Sequence, residues 1–257
     1  MTQPDLAPDD GVRSRQQQIA SNLRALILSG DLRPGDRVPS TSALMEQYGV
    51  TNPTVQRALA ILKDEGFLKG DKGKGVFVTA NQPVVIRASH YPRPAPEGQP
   101  YPWISTHSTP NRPARIDLIS VDEVPAPAQV AAAFGAENGA SVLCRHQLLH
   151  LGDEPAELLW SYYPVEIARG TRLAERRKIK GGTPAVLAEL GYPLRNAIDQ
   201  VGTRLATVDE FIALKLPQDM PVLRQIRVLY TDNQRPVQVD IMIKAGQQYE
   251  IQYELPE

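Results

Sequence analysis

Apolar residues in the first eighty positions recur at helical spacing. Ile19, Leu23, Leu26 and Ile27 fall on one face of a segment that begins at Ser14 and ends before Gly30. A second helix is predicted from about Thr41 to Tyr48, with Ser40 as its N-cap. A third is predicted from Asn52, as N-cap before Pro53, to about Glu65.

After Gly66 the apolar period changes from helix to strand. Phe67–Leu68 and Val76–Val78 flank the glycine- and lysine-rich segment 69–75, so the pattern predicts a β-hairpin with a basic tip. Three helices followed by a hairpin indicate a winged helix-turn-helix over residues 12–80, after a polar tail at 1–11.

Prolines mark the next boundary. Eight lie between positions 81 and 113, a density that disfavours helix and predicts an extended linker over 81–100. Residues 101–257 mix strand-like runs with short helical ones, which predicts an α+β domain with a largely antiparallel sheet. The predicted strands are Ile116–Val121, Ser141–Leu151, Glu157–Tyr163, Gln200–Ala206, Val222–Tyr230, Pro236–Lys244 and Tyr249–Tyr253; the predicted helices are Ala126–Phe134, Thr183–Leu190 and Val208–Leu214.

Composition restricts where such a chain works. The single cysteine, Cys144, fits a reducing compartment, and no apolar run is long enough to cross a membrane. We therefore expect a cytoplasmic, nucleoid-associated protein with no membrane partner. Residues 12–80 carry ten Lys/Arg against six Asp/Glu, although the whole chain has a formal charge of −1. A basic module attached to a near-neutral one indicates a nucleic-acid-binding domain.

In a helix-turn-helix the start of the recognition helix enters the major groove of double-stranded DNA. Asn and Gln side chains there can pair with adenine, and Arg with guanine or phosphate. Lysines at the hairpin tip can reach phosphates, with glycine allowing close approach. The predicted DNA-binding residues are Arg15, Arg37, Ser40, Thr41, Ser42, Thr51, Asn52, Thr54, Gln56, Arg57, Lys72, Gly73 and Lys74.

A family resemblance follows from these residues. The chain resembles the GntR family of bacterial repressors at several places. These are the runs 33–40, 48–51 and 73–78 and the positions Thr54-Val55, Ala58-Leu59, Leu62 and Glu65-Gly66. The family often has arginine where this chain has Ser42, Asn52 and Gln56. With fewer guanidinium groups we expect a shallower salt dependence of DNA binding and more dependence on Arg57 and the hairpin lysines.

The second domain resembles the UTRA effector-binding domain of the HutC branch. The resemblance rests on the runs 142–145, 161–164, 204–210, 221–223 and 235–237. It implies a fold similar to chorismate lyase, a homodimer, a pseudo-palindromic operator and a small-molecule effector. In the family two arginines on one strand hold an anionic group, but here only Arg145 is present and Gln147 takes the second place. Sugar-phosphate sensors often have glutamate where Leu159 stands, so an apolar or weakly polar ligand is expected instead.

The predicted effector-binding residues are Arg145, Gln147, Leu159, Ser161, Tyr163, Arg204 and Asp240. Two of them have other interpretations: Asp240 can form a cross-strand salt bridge, and Arg204 can pair with Asp209 or Glu210. His146 and His150 lack a third ligand, so we assign them packing roles and expect neither metal nor cofactor.

These features predict a transcriptional repressor whose operator affinity is modulated by a small molecule. An alternative is a repressor, for example of plasmid transfer genes, whose second domain only dimerises and binds no effector. No catalytic motif supports an enzyme.

Overall fold

The chain forms two compact units, one up to Gln82 and one from Pro83 onward. The structure is a computed structural model, and it describes residues 14–79, 83–87 and 99–253. Within these ranges no helix is both long and apolar enough to cross a membrane.

The first unit contains three helices and a hairpin, the order that the sequence predicts. Ser14 and Gln17 form a capping box at the start of the first helix, and the Ser40 hydroxyl accepts a hydrogen bond from the Ala43 amide at the start of the second. The elements are α1 Arg15–Leu28, α2 Thr41–Tyr48, α3 Asn52–Asp64, β1 Leu68–Asp71 and β2 Gly75–Val78.

The third helix begins one residue earlier than expected. Thr51, in extended conformation, is its N-cap, and Asn52 is its first helical residue, so the prediction of Asn52 as N-cap is wrong. The hairpin strands are also longer than predicted, because pairing continues from Leu68 opposite Val78 to Asp71 opposite Gly75. Only residues 72–74 remain for the turn.

A buried ion pair joins α1 to the end of α3. The Arg24 guanidinium donates from Nε and NH2 to the Glu65 carboxylate at 2.9 and 2.6 Å, and both side chains are about nine-tenths buried. The same guanidinium lies over the Phe67 ring. Around this pair lies an apolar core that includes Ile19, Leu23, Val55, Leu59, Leu62, Leu68 and Val78.

The second unit is built on a six-stranded sheet of strand order β4-β5-β6-β9-β8-β7, in which all neighbours are antiparallel. The expected α+β architecture with a largely antiparallel sheet is therefore confirmed. Its strands are β4 Ala114–Pro125, β5 Ser141–Leu151, β6 Glu154–Pro164, β7 Asn196–Arg204, β8 Val222–Tyr230 and β9 Pro236–Ala245; its helices are α4 Pro102–His107, α5 Ala128–Phe134, α6 Val165–Ala168, α7 Thr183–Glu189 and α8 Val208–Ala213.

Part of the predicted linker belongs to this second unit. Strand β3, Val84–Arg87, pairs in parallel with β10, Tyr249–Gln252, and Ile86 is buried against Trp103 and Tyr249. The density of prolines predicted a linker instead of this strand. The strand can form because Pro83 precedes it, so the missing N–H of Pro83 removes no hydrogen bond between strands. The rest of the predicted linker, residues 88–98, lies outside the described residues.

Proline also concealed α4. Pro102 is its first residue, a position where the missing N–H removes no helical hydrogen bond. Trp103 and His107 of this helix are buried, so α4 packs onto the second unit.

We predict that Arg24→Ala destabilises the first unit by about 3 kcal/mol, because it leaves the Glu65 carboxylate buried without its partner. Hydrogen exchange of the α1 and α3 amides in the full chain measures the change. Arg33→Ala, which removes an exposed arginine, is the matched control. Equal protection in the two variants would show that the ion pair is not needed for stability.

Candidate DNA interface and ligand cavity

The start of α3 presents polar side chains to solvent. Thr51, Asn52, Gln56 and Arg57 are exposed, whereas Thr54 is half-buried and lies 3.4 Å from the Thr51 hydroxyl. Because Asn52 is helical rather than a cap, its amide is not used to satisfy the helix terminus. These side chains have the donors and acceptors needed at base edges.

The start of α2 lies beside this surface. The Gln56 amide donates to the Thr41 hydroxyl at 3.3 Å, which joins α3 to α2. Ser40 and Ser42 are exposed, and their hydroxyls are 2.9 Å apart. The structure therefore brings the predicted residues of both helices together.

Two predicted arginines lie elsewhere on the first unit. Arg15 is exposed in the first turn of α1, where it donates to Gln18 at 3.3 Å. Arg37 forms a β-bridge with Phe77 and covers Gly75 so closely that a Cβ there would lie 2.6 Å from the Arg37 Nε. Arg37 is thus located at the base of the hairpin.

At the hairpin tip, Gly73 has a φ of +81°, which favours glycine. Lys74 forms an exposed ion pair with Asp71 at 3.0 Å, a contact that sequence reasoning missed. Lys72 is exposed and has no ion pair in the described part of this unit. At the tip, Lys72 is therefore available to contact phosphate directly. Lys74 first has to leave its ion pair with Asp71, which is weak because it is exposed.

The second unit contains a cavity of about 400 Å³. One wall is a face of the sheet, and the others come from α4 and the segment from Lys178 to Thr183. Its lining residues are Pro100, Tyr101, Ile104, Ala114, Arg115, Ile116, Arg145, Gln147, Leu159, Ser161, Lys178, Ile179, Lys180, Gly181, Gly182, Thr183, Gln238 and Asp240.

Five of the seven predicted effector residues line this cavity, and strand register explains why. Arg145 is opposite Ser161, and Ser161 is opposite Asp240. Gln147 is opposite Leu159. Residues that are opposite each other on neighbouring strands lie on the same face of the sheet.

Tyr163 and Arg204 do not line the cavity. The Tyr163 side chain is fully buried, and burial raises the pKa of its phenol well above the usual range. Arg204 lies at the end of β7 and donates to both Glu210 oxygens at 2.6 Å. The capping box of Thr207 and Glu210 starts α8 just after β7 and so positions this ion pair. An ion pair with Glu210 was one of the two interpretations of Arg204 in the sequence analysis.

The guanidinium donors of Arg145 are occupied by backbone groups of the protein. Its NH1 donates to the Leu173 and Glu175 carbonyl oxygens at 2.6 and 2.9 Å, and its NH2 donates to the Arg177 carbonyl oxygen at 2.7 Å. Burial lowers the pKa of this guanidinium, while Tyr163 and Glu175 act to raise it. Arg145 therefore attaches the segment 173–177 to the sheet and leaves few donors for a ligand.

Asp240 is a carboxyl group without an ion pair. Burial raises its pKa above the ordinary value; hydrogen bonds from Ser161 and Gln238 and the charge of Arg227 act in the opposite direction. The Gln238 amide donates to Asp240 Oδ1 at 2.8 Å. No base lies within 4 Å of this carboxylate in the part of the chain that the structure describes, so the expected alternative of a salt bridge is wrong for Asp240.

Sequence reasoning missed the wall opposite the sheet. From its composition, the basic run Arg176-Arg177-Lys178-Lys180 is expected to be a solvated loop. Three of its four bases form exposed ion pairs, Arg176–Asp122, Arg177–Glu175 and Lys178–Asp117, and the chain then continues into the cavity wall. The available signal was Gly181-Gly182: a Cβ on Gly182 would lie 2.3 Å from the Tyr101 ring.

His146 and His150 have separate surroundings. The His146 ring stacks on Trp160 at 4.5 Å, and His150 lies 3.2 Å from Asp117. Within the described residues there is no group of three or more side chains that could hold a metal ion.

The fold defines a class of regulators: a winged helix-turn-helix joined to an α+β unit that contains a cavity. Residues 15–78 match the model described as bacterial regulatory proteins, gntR family, and residues 111–250 match the UTRA domain. The chain therefore belongs to the UTRA-containing GntR regulators. Members of this family are transcriptional regulators.

Full-length relatives agree with this assignment. An uncharacterized HTH-type transcriptional regulator of Streptomyces coelicolor is 27% identical over 93% of this chain and 91% of its own length. The HTH-type transcriptional repressor NagR of Bacillus subtilis is 26% identical over 84% of each chain. PhnF from Mycobacterium smegmatis shares the fold, with a TM-score of 0.57 and 20% identity over 93% of this chain and 99% of its own.

We predict that Arg145→Ala loosens the segment 173–177, because three carbonyl oxygens lose a charged donor. A loss of about 2 kcal/mol corresponds to roughly thirtyfold faster amide exchange. Hydrogen exchange of this segment is the measurement. Arg177→Ala removes only an exposed ion pair and should leave exchange nearly unchanged; similar rates in both variants would contradict the attachment by Arg145.

Proposed function

We propose that this protein is a sequence-specific DNA-binding repressor whose operator affinity is modulated by a small molecule in the cavity of the second unit. The observation that carries the proposal is the joint presence of an exposed polar surface at the start of α3 and a built cavity lined by Arg145, Ser161 and Asp240. A second domain that only dimerised would need no such cavity, so its presence favours the ligand-responsive repressor.

DNA binding depends on a few exposed groups. Asn52, Gln56 and Arg57 supply base contacts, and Arg15, Arg37 and Lys72 supply phosphate contacts. The resemblance also implies a homodimer, and two recognition helices related by two-fold symmetry would read a pseudo-palindromic operator.

The dimer surface that we propose is the end of the sheet at β7. This strand is at the edge, so one side of it lacks a partner within the sheet. Among the described residues, six of the ten exposed large hydrophobic side chains lie between 198 and 212; they are Ile198, Val201, Leu205, Val208, Phe211 and Ile212. An apolar surface of this kind beside an open strand edge is typical of a subunit interface.

We expect Arg57→Ala to weaken binding to the operator next to the protein's own gene by about 1–3 kcal/mol, or roughly five- to hundredfold. Gel-shift titration at fixed salt is the measurement. Lys63→Ala is the control, because it removes an exposed base from the last turn of the same helix. Unchanged affinity for Arg57→Ala would exclude α3 as the recognition helix.

We expect Ile212→Glu to shift the protein towards monomer at micromolar concentration, since Ile212 is 67% exposed in the proposed interface and the substitution would bury a charge there. Light scattering after size-exclusion chromatography reads the mass. Ile119→Glu, at another exposed apolar position on β4, is the control and should remain dimeric. A dimer that survives Ile212→Glu would place the interface elsewhere.

A further inference from the structure

The acidic side chains on the cavity face of the sheet differ in their partners. Lys244 Nζ lies 2.5 Å from Glu157 Oε2, and both side chains are almost fully buried. Arg227 donates to both oxygens of Asp199 at 2.7 Å. Each of these bases therefore has its own carboxylate. Within the described residues the hydrogen bonds to Asp240 come from the neutral side chains of Ser161 and Gln238, and the charge of Arg227 acts on Asp240 from beyond 4 Å.

Strand register places Asp240 and its neighbours in one row across the sheet. Ser161, Asp240, Arg227 and Asp199 are successive cross-strand neighbours on β6, β9, β8 and β7. Arg227 is next to Asp240 in this row, yet both of its contacts to Asp199 hold it towards the β7 side. A carboxylate accepts about four hydrogen bonds, so two neutral donors leave Asp240 with acceptor positions to spare.

None of the four basic residues of the cavity lining forms an ion pair with Asp240 within the described residues. The donors of Arg145 go to three backbone carbonyls. Arg115 and Lys178 each lie 3.3 Å from the Asp117 carboxylate, and Lys180 is exposed. Among the described residues that line the cavity, Asp240 is the one carboxylate, and no base lies within 4 Å of it.

We propose that the ligand of this cavity carries a cationic nitrogen on a compact apolar body, and that this nitrogen pairs with the Asp240 carboxylate. The inference rests on the ligand-binding function proposed above. Apolar contacts for the body come from Tyr101, Ile104, Ile116, Leu159 and Ile179. A volume of about 400 Å³ suits a small organic molecule.

The choice of a cation over a neutral donor follows from desolvation. A carboxylate removed from water is costly unless it is paired, and an ammonium group supplies both charge and several N–H donors. Hydrogen bonds between charged partners are about twice as strong as neutral ones. An anionic ligand would instead place like charge beside Asp240.

The test compares three ligands of the same shape on the full chain: 3-phenylpropylamine, 3-phenylpropan-1-ol and 3-phenylpropanoate. Their dissociation constants are measured by ligand-observed NMR at neutral pH. We expect the amine to bind about tenfold more tightly than the alcohol, and the carboxylate to bind most weakly.

Asp240→Asn should abolish the preference for the amine while keeping the binding of the alcohol. Asp153→Asn makes the same chemical change at an exposed position in the β5–β6 turn, outside the cavity lining, and should keep the preference. The thermal unfolding midpoint of Asp240→Asn should not fall, because the variant removes a buried charge. The comparison of the three ligands on the unmodified chain needs no variant, so it decides the question even if Asp240→Asn fails to fold.

Any of four results would overturn the proposal: tightest binding of the carboxylate, equal binding of amine and alcohol, an amine preference that persists in Asp240→Asn, or no binding of any of the three ligands. In the first two cases the cavity still binds ligands, so the proposed ligand-responsive function would remain and only the cation would be lost. Gel shifts without ligand test the DNA-binding function separately.

Discussion

Burial of charged groups on one face of the six-stranded sheet determines how the second unit is arranged. A charge in the interior is tolerated when it is paired or fully hydrogen-bonded. Lys244 and Arg227 meet this condition through Glu157 and Asp199. Arg145 meets it through backbone carbonyls of the segment 173–177, and the wall of the cavity continues from that segment. The same requirement that stabilises the sheet therefore also shapes the space for a ligand.

In the first unit, a buried ion pair fixes the position of a helix. The Arg24–Glu65 pair joins α1 to the end of α3, so the position of α3 is set at its buried end. The opposite end, from Thr51 to Arg57, is then free to present side chains to DNA. Stabilising contacts and proposed recognition contacts lie at opposite ends of one helix, which lets the operator-contacting residues vary without loss of the fold.

In the second unit, the residues that depart from the family resemblance all bear on the charge of the proposed ligand. Gln147 replaces one of two arginines that hold an anion in related proteins, and Arg145 is committed to the backbone. Asp240, in contrast, contributes a carboxylate with no base within 4 Å among the described residues. These two differences are the basis of the proposed cationic ligand. In the first unit the absent arginines at 42, 52 and 56 likewise make the proposed DNA surface less basic than is usual.

The sequence alone determined the elements whose signals are local. Apolar spacing and caps predicted α1 to α3, strand-like runs predicted the strands of the large sheet, and the family resemblance put Arg145, Ser161 and Asp240 into one group. Tertiary structure decided what local signals do not contain: that β3 pairs with β10 far along the chain, that strand register places these three residues on one face, and that Arg145 binds carbonyls thirty residues away. The reason is physical, because hydrogen-bond partners and counter-ions are chosen by proximity in space, and proximity arises only when the chain has folded.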